Sequence, residues 1–389
     1  MVAEVVVWVA GGALVWVYLG YPLVVASLAR IRPVQLASAA AMPSVAVAIA
    51  VHDENDQIAE RIADVVAQDP SGDLISEILV GSDGSTDGTD DTVADLARTN
   101  PRLRLLALPR AGSTPTQHAL FTAASAEVVV LTDAETRFAP GCVATLAEAF
   151  RDVRVACATG RLEWRAEDAT ATSANEGLYW RYERAVRSAE SRAGFLTAVT
   201  GAILAVRRAA YRPVTAVTSM DHLLPLYARA DGFLVVYVPG AVATDRPISR
   251  IREQFRNRSR TATRGIAANL SMVTTLSPWR HPAAATAIWS HKLLRWATPI
   301  LALVLVAAAA VLVVTGSSGY AIVLGLAAVS VALAVAGHAL ASIGRRPPRV
   351  LAFARAFAVV NLAFALAWLN VVRGRRIEAW HRAEWHARS

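Results

Sequence analysis

The sequence predicts an α/β domain with a mainly parallel sheet, flanked by apolar helices long enough to cross a membrane. Three observations carry this. Residues 43–260 have an ordinary mixed composition and alternate short β-type runs with helical ones, the pattern of right-handed βαβ crossovers. Outside them, residues 5–29, 297–315, 320–343 and 356–372 are nearly uncharged and apolar. Each is close to the ~20 residues that span a bilayer. Acidic residues also gather just after three of the β-type runs, where open α/β sheets form their ligand crevices.

The first apolar stretch has Glu4 at its start and Arg30 and Arg32 at its end. Its basic residues follow rather than precede it and no small-residue cleavage site is evident, so it reads as a retained helix. With Arg30 and Arg32 cytoplasmic, the N-terminus lies outside and the central domain in the cytosol. An Ala/Ser-rich linker from Pro33 to Pro43 leads to residues 44–51 (SVAVAIAV), a continuous apolar run suited to a buried parallel strand. That run ends in His52-Asp53-Glu54-Asn55, and a helix follows to Val66. A second strand begins at Ile78 and breaks at Asp83-Gly84-Ser85-Thr86-Asp87-Gly88. The helix over 90–97 has acidic residues in its first turn, where the macrodipole favours them. Residues 103–108 form a third strand, 116–124 a helix, and 127–131 a fourth strand running into Thr132-Asp133-Ala134-Glu135. A helix at 141–150, a strand at 154–161 and a polar helix at 172–192 come next. Then follow the turn Thr200-Gly201, a helix headed by Met220-Asp221, and a strand at 233–238.

Each candidate site has a plain structural alternative. Asp83 offers a carboxylate to a base or ribose, and Gly84 and Gly88 permit φ > 0, yet an Asp/Gly turn can exist without a ligand. Asp133 and Glu135, two positions apart, can face a divalent ion that bridges a diphosphate, or form a solvated turn. Asp221 stands at a helix start, where N-capping is the alternative. The basic run 250–264 places Arg252, Arg256 and Arg260 on one helix face. Guanidinium groups suit bidentate diphosphate binding, and equally a headgroup-facing helix. Residues 279–296, with Trp289, Lys292, Arg295 and Trp296, read as an interfacial amphipathic helix.

The formal net charge is +8, and Lys292 is the sole lysine. The arginines cluster near the apolar segments, which suits anionic headgroups better than nucleic acid. Arginine, alanine and valine usage points to a bacterial genome of high GC content. Only Cys142 and Cys157 occur, without a CxxC pair or a His cluster, which argues against a disulfide framework or structural zinc. Four spans do not satisfy the positive-inside rule: with 345–349 cytoplasmic, the basic tail after 372 falls outside.

In order along the chain, HDEN, SDGSTDGT, TDAE, TGAILAVRR, MDHLLPL and SHKLLRW resemble the membrane-bound family-2 glycosyltransferases, which include the synthases of cellulose, hyaluronan and poly-N-acetylglucosamine. The resemblance covers about residues 40–300. It implies a GT-A (Rossmann-like) cytosolic domain at 40–265 after an N-terminal transmembrane helix at 1–32. Interfacial helices at 266–296, transmembrane helices at 297–373 and a basic tail at 374–389 complete the order. By resemblance, His52, Asp53, Glu54 and Asp83 line the nucleotide, and Asp133 and Glu135 hold Mg²⁺ or Mn²⁺. Asp221 is the general base, Thr200 and Gly201 border the acceptor, and Arg256 and Arg260 meet the leaving group. The implied activity is inverting transfer from a nucleotide sugar, UDP-linked in the first instance, to a glycan or a polyprenyl- or lipid-linked acceptor. It belongs in the inner or plasma membrane, in polysaccharide or glycolipid biosynthesis, among membrane lipids and with room for a partner synthase or export protein.

The chain departs from the family pattern in several places. His52-Asp53-Glu54 stands for Y-N-E, and Asp133-Ala134-Glu135 for D-x-D. Met220 replaces one acidic residue beside Asp221. Gly112-Ser113…His118 lacks the usual cation. Asn257 and a missing tryptophan break Q-x-x-R-W, a motif associated with processive synthesis, so transfer of one or a few sugars is expected. The same departures motivate a second expectation, a catalytically reduced member that binds nucleotide as a scaffold. A transporter is disfavoured by the few ionisable groups in the apolar helices and the absence of paired repeats.

Overall fold

The structure, a computed structural model, describes residues 1–164, 171–214, 218–246 and 251–375. The N-terminal apolar stretch forms α1 (Val2–Val15) and α2 (Tyr21–Ile31), joined by a π-helical turn at Trp16–Gly20. Pro22 has no N–H to give the carbonyl of Tyr18. The Tyr182 hydroxyl donates to that carbonyl instead, at 3.4 Å.

Strands β1 (Val45–Val51), β2 (Ile75–Asp83), β3 (Leu103–Leu108) and β4 (Val128–Thr132) alternate with helices α3 (Asn55–Ala67), α4 (Thr89–Thr99) and α5 (Ser113–Ala123). Their pairings are parallel. Then come β5 (Arg137–Phe138), α6 (Cys142–Glu148), β6 (Val155–Trp164), α7 (Ala171–Ala193), β7 (Leu204–Arg207), α8 (Met220–Ala230) and β8 (Leu234–Asp245). The sheet order is β3-β2-β1-β4-β7-β6-β8-β5. β7 is antiparallel to both β4 and β6, and β5 to β8. The all-parallel pairing expected of the first four strands thus gives way to a mixed second half. The cause is where β7 starts: Leu204 lies beside Leu131 at the crevice end, so the strand can only run back.

β1 alternates large and small side chains, and this sets the layer spacing. Val45, Val47, Ile49 and Val51 pack with α3 and α6, while Ala46, Ala48 and Ala50 pack with α5 and α8. The close approach of α5 continues at Gly81, where an added Cβ would lie 2.8 Å from Thr116 Cγ2.

Helix α9 (Ile251–Met272) joins this unit to the C-terminal helices. α10 (Pro282–Ala287), a π-helical turn at Ile288–Leu293 and α11 (Leu294–Trp296) lead to a 64° bend before α12 (Thr298–Val314). Pro299 lies in the first turn of α12, where proline starts a helix but cannot continue the preceding one. Helices α13 (Ala321–Ser342) and α14 (Arg349–Val372) complete the described chain, and α14 begins before the apolar stretch expected at 356. Phe364 and Ala367 of α14 pack on Ala262 and Ile266 of α9. Among the described residues, three helices are long and apolar enough to cross a membrane, or four if the bent pair is one span. The segment expected to be an interfacial helix does not turn all its polar groups outward: Ser290, His291 and Arg295 are buried against protein. The basic tail from residue 376, and Arg250, lie outside the described residues.

Candidate active site

A cavity of about 200 Å³ opens at the C-terminal ends of β1 and β4, lined there by Ala50, Leu131 and Asp133. β1, β2 and β3 wind to one side and β4 lies on the other, so this is the switch point at which open α/β sheets bind ligands. Ser113 and Gln117 of α5, Gly201, Asp221 and His222 of α8, and Arg260 and Arg264 of α9 contribute to the remaining wall.

The residues expected to line the nucleotide tie two loops together. The Asp53 N–H donates to Ser85 Oγ at 3.1 Å, and Asp53 Oδ1 accepts the Thr86 N–H at 2.8 Å. This holds Asp53 at φ +52°, a left-handed conformation uncommon for a residue with a side chain. The buried Glu54 donates its N–H to Thr89 Oγ1 at 3.0 Å. Asp87 accepts the Asn55 N–H at 2.9 Å, which closes the second tie. Asp83 is fully buried, its carboxylate accepting the N–H groups of Ala111 at 2.6 Å and Gly112 at 3.0 Å. His52 Nδ1 meets the Asp83 carbonyl at 2.9 Å. Asp83 therefore grips the turn before α5, and none of His52, Asp53, Glu54 or Asp83 lines the cavity. Gly84, at φ +64°, allows that grip: a Cβ there would lie 3.0 Å from Arg110 N.

Asp133 stands exposed on the cavity wall, with Glu135 half-buried two residues on and outside the wall. The turn has a rigid base. Arg61, fully buried, pairs with Asp64 and donates through Nη2 to Thr132 Oγ1 at 2.8 Å. Its guanidinium lies 4.1 Å from the centre of the Phe138 ring. Burial lowers its pKa to about 10, with the Asp64 charge opposing the shift. The Thr132 hydroxyl donates onward to the Ala202 carbonyl at 2.9 Å, linking the Asp133 turn to the Thr200–Gly201 turn.

Asp221 and Gly201 face each other. A Cβ on Gly201 would lie 3.4 Å from Asp221 Cγ, so glycine leaves the carboxylate its space. The N-cap of α8 is Ser219, so Asp221 does not occupy the capping position. His222 Nδ1 lies 2.6 Å from Ser219 Oγ and 3.2 Å from Asp221 Oδ1. Burial acts to raise the pKa of Asp221, but His222, Ser219 and Arg264 outweigh it and hold the carboxylate below its usual range. The side chain still keeps 27% of its exposure, toward the cavity. Thr200 sits behind Gly201 rather than on the wall. Its Oγ1 accepts from Arg187 Nη1 at 2.7 Å, and its N–H donates to Thr159 Oγ1 at 3.1 Å.

On α9, Arg260 reaches the cavity, while Arg256 is exposed and off the wall. The sequence reading missed Arg264, one turn beyond Arg260 on the face that already held Arg252, Arg256 and Arg260. It is buried and donates through Nη2 to the Thr218 carbonyl at 2.6 Å and Thr114 Oγ1 at 3.1 Å. A cation thus touches the first turn of α5, where Ser113 stands in place of the expected one. Met220, the other departure beside Asp221, is a core side chain packed with Leu224 and Phe121.

Among the described residues, no group of three or more His, Cys, Asp or Glu side chains is placed to hold a metal ion. Asp133 nevertheless offers hard oxygen donors on the cavity wall, with Glu135 two residues along the same turn. Ions of the Mg²⁺ type commonly take one or two carboxylates and complete their shell with phosphate oxygens and water. The donor set fits an ion that arrives with a phosphorylated ligand.

A switch-point cavity, an acidic turn after β4 and a carboxylate at the head of α8 place the molecule in the GT-A class of α/β folds. The mannosyltransferase PcManGT from Pyrobaculum calidifontis, solved in complex with GDP-Man and Mn²⁺, shares the fold at a TM-score of 0.70 and 20% identity. The match covers 96% of this chain and 98% of that one. Residues 43–266 match the model of the glycosyltransferase-like family 2, and the chain belongs to that family. An N-acetylglucosaminyltransferase of Rhizobium leguminosarum bv. viciae is 28% identical over 218 residues, 52% of this chain. The chain spans about half the length of that curated relative, 51%.

Proposed function

We propose that the chain is a membrane-embedded, inverting glycosyltransferase that moves a sugar from a nucleotide-sugar donor to a hydroxyl of a glycan or lipid-linked acceptor. The observation that carries this is one cavity bringing together Asp133, Asp221, Arg260 and Arg264 from segments far apart in the chain. A UDP-sugar is the first donor to test, on the resemblance to the cellulose and hyaluronan synthases. The relatives' names support the donor class: one is an N-acetylglucosaminyltransferase, the other a mannosyltransferase bound to GDP-Man.

Asp221 accepts the proton as the acceptor oxygen bonds to the anomeric carbon. The bond from that carbon to the diphosphate breaks, and its electron pair leaves with the nucleotide. Arg260 and Arg264 face the charge that develops there, in a site where burial strengthens each contact. Asp133 and Glu135 would hold Mg²⁺ or Mn²⁺, and such an ion supplies positive charge to a diphosphate. Among the described residues, Asp133 and Asp221 are the carboxylates on the cavity wall. With Asp133 assigned to the donor, one base remains, and a single displacement inverts the anomeric centre. The apolar helices, up to four of span length among the described residues, support embedding in a membrane.

The test is nucleotide release by the protein in lipid, with Mn²⁺ or Mg²⁺, across UDP- and GDP-sugars, with the product anomer read by NMR. Metal-dependent turnover of one donor with inversion is expected. Retention of configuration, or donor binding without turnover across the panel and added acceptors, would contradict the reading and favour the scaffold alternative.

A further inference from the structure

The Thr200–Gly201 turn is held from outside the cavity by a buried charge cluster that reaches the bend before α12. Glu183 of α7 is its centre, buried to 4% exposure. One carboxylate oxygen, Oε1, takes Arg187 Nε at 3.1 Å and faces Lys292 Nζ at 3.7 Å. The other, Oε2, meets His291 Nε2 at 3.3 Å and pairs with Arg295 Nη1. Arg187 then passes the connection inward through its 2.7 Å bond to Thr200 Oγ1. A second strut runs alongside: Glu190 Oε1 accepts from the Tyr21 hydroxyl of α2 at 2.6 Å and meets His291 Nδ1 at 2.7 Å. Three segments thus converge on α7: the N-terminal apolar helix, the 288–296 segment and, through Arg187, the turn facing Asp221.

Burying this much charge is costly unless every group is paired, and removing one partner leaves the others uncompensated. Apolar packing between this segment and α7 runs through Ala287 with Val186 and Ala189. The charges add something that packing does not, a directional connection with one end on Thr200. We infer that Glu183 is a positioning residue: acting through Arg187, it sets the acceptor-side turn opposite Asp221 and couples it to the 288–298 bend. The inference builds on the transferase reading for the meaning of that turn. The physical link can be tested without it.

The experiment uses the full chain in nanodiscs containing phosphatidylglycerol, compared with Glu183→Gln by hydrogen exchange. Glu183→Gln is expected to speed exchange of amides 197–204 at least about tenfold while β1 stays protected. The KM for the donor should stay within about twofold, because the described contacts of Glu183 run to Arg187 and the 288–296 segment. Thr200→Val, which leaves the buried charges in place, carries the same exchange prediction should Glu183→Gln fold poorly. Thr200→Ser keeps the hydroxyl and should keep the protection. Unchanged exchange at 197–204 in both Glu183→Gln and Thr200→Val overturns the inference. So does equal loss of protection in β1, which would make the cluster a general support of the fold. An unsubstituted protein that turns over no donor would count against the transferase reading, while the exchange comparison would still decide this one.

Discussion

The loops after β1 and β2 and the wall around Asp221 are built in opposite ways. In the first, the partners are near in sequence: Asp83 with Ala111 and Asp53 with Thr86 lie 28 and 33 residues apart. In the second, Arg264 meets Thr114 across 150 residues and Arg295 meets Glu183 across 112. The loops after β1 and β2 are tied by backbone N–H groups to carboxylates, which needs only the first βαβ units. The wall around Asp221 is complete only once α9 and the segment leading into α12 have docked. A disturbance of the C-terminal helices should therefore reach that wall first.

Asp133→Ala strikes the donor half. Nucleotide release is expected to fall ~10²-fold, and the response to added Mn²⁺ to flatten, as charge facing the diphosphate is lost. Because Asp133 is exposed, the melting temperature should hardly move. A variant that keeps its metal response would take Asp133 out of the donor site. Gly265→Ala strikes the other half. Its Cβ would lie 2.6 Å from Trp296 Cη2 and 2.8 Å from His222 Nε2, contacts that force a side chain to move. Overpacking of this kind costs about 1–3 kcal/mol, and it displaces the imidazole that meets Asp221. Transfer is expected to fall about tenfold, equivalent to ~1.4 kcal/mol at the transition state, with donor KM unchanged. Normal activity and melting would show slack in the acceptor half and weaken the contrast.

The same contrast explains what was legible in the sequence. The strands through β4, the Asp133 turn and Asp221 at a helix head follow from local runs and punctuation, and the structure has them where expected. Asp83 was legible as the acidic residue of a Gly-rich turn but not in its contacts. Nothing in SDGSTDGT says that its carboxylate points back to Ala111 and Gly112 rather than into the crevice. Arg264 was missed although its spacing continues the arginine face, because only tertiary packing brings that turn of α9 to Thr114 and Thr218. The Glu183 cluster was hidden for the same reason. In sequence, His291, Lys292 and Arg295 look like the polar side of an interfacial helix, and the carboxylates that pair with them lie more than 100 residues away.

The most direct measurement on the central claim is Asp221→Asn, with donor affinity by calorimetry and turnover read on the same preparation. Asparagine keeps the shape and removes the base. Binding is expected to persist while turnover drops ~10²–10⁴-fold. Because His222, Ser219 and Arg264 hold the Asp221 carboxylate below its usual range, the unsubstituted protein should keep its base ionised down to about pH 4 and lose rate only below that. Full turnover by Asp221→Asn with donor bound would contradict the account, because the proton would then have to leave by another route.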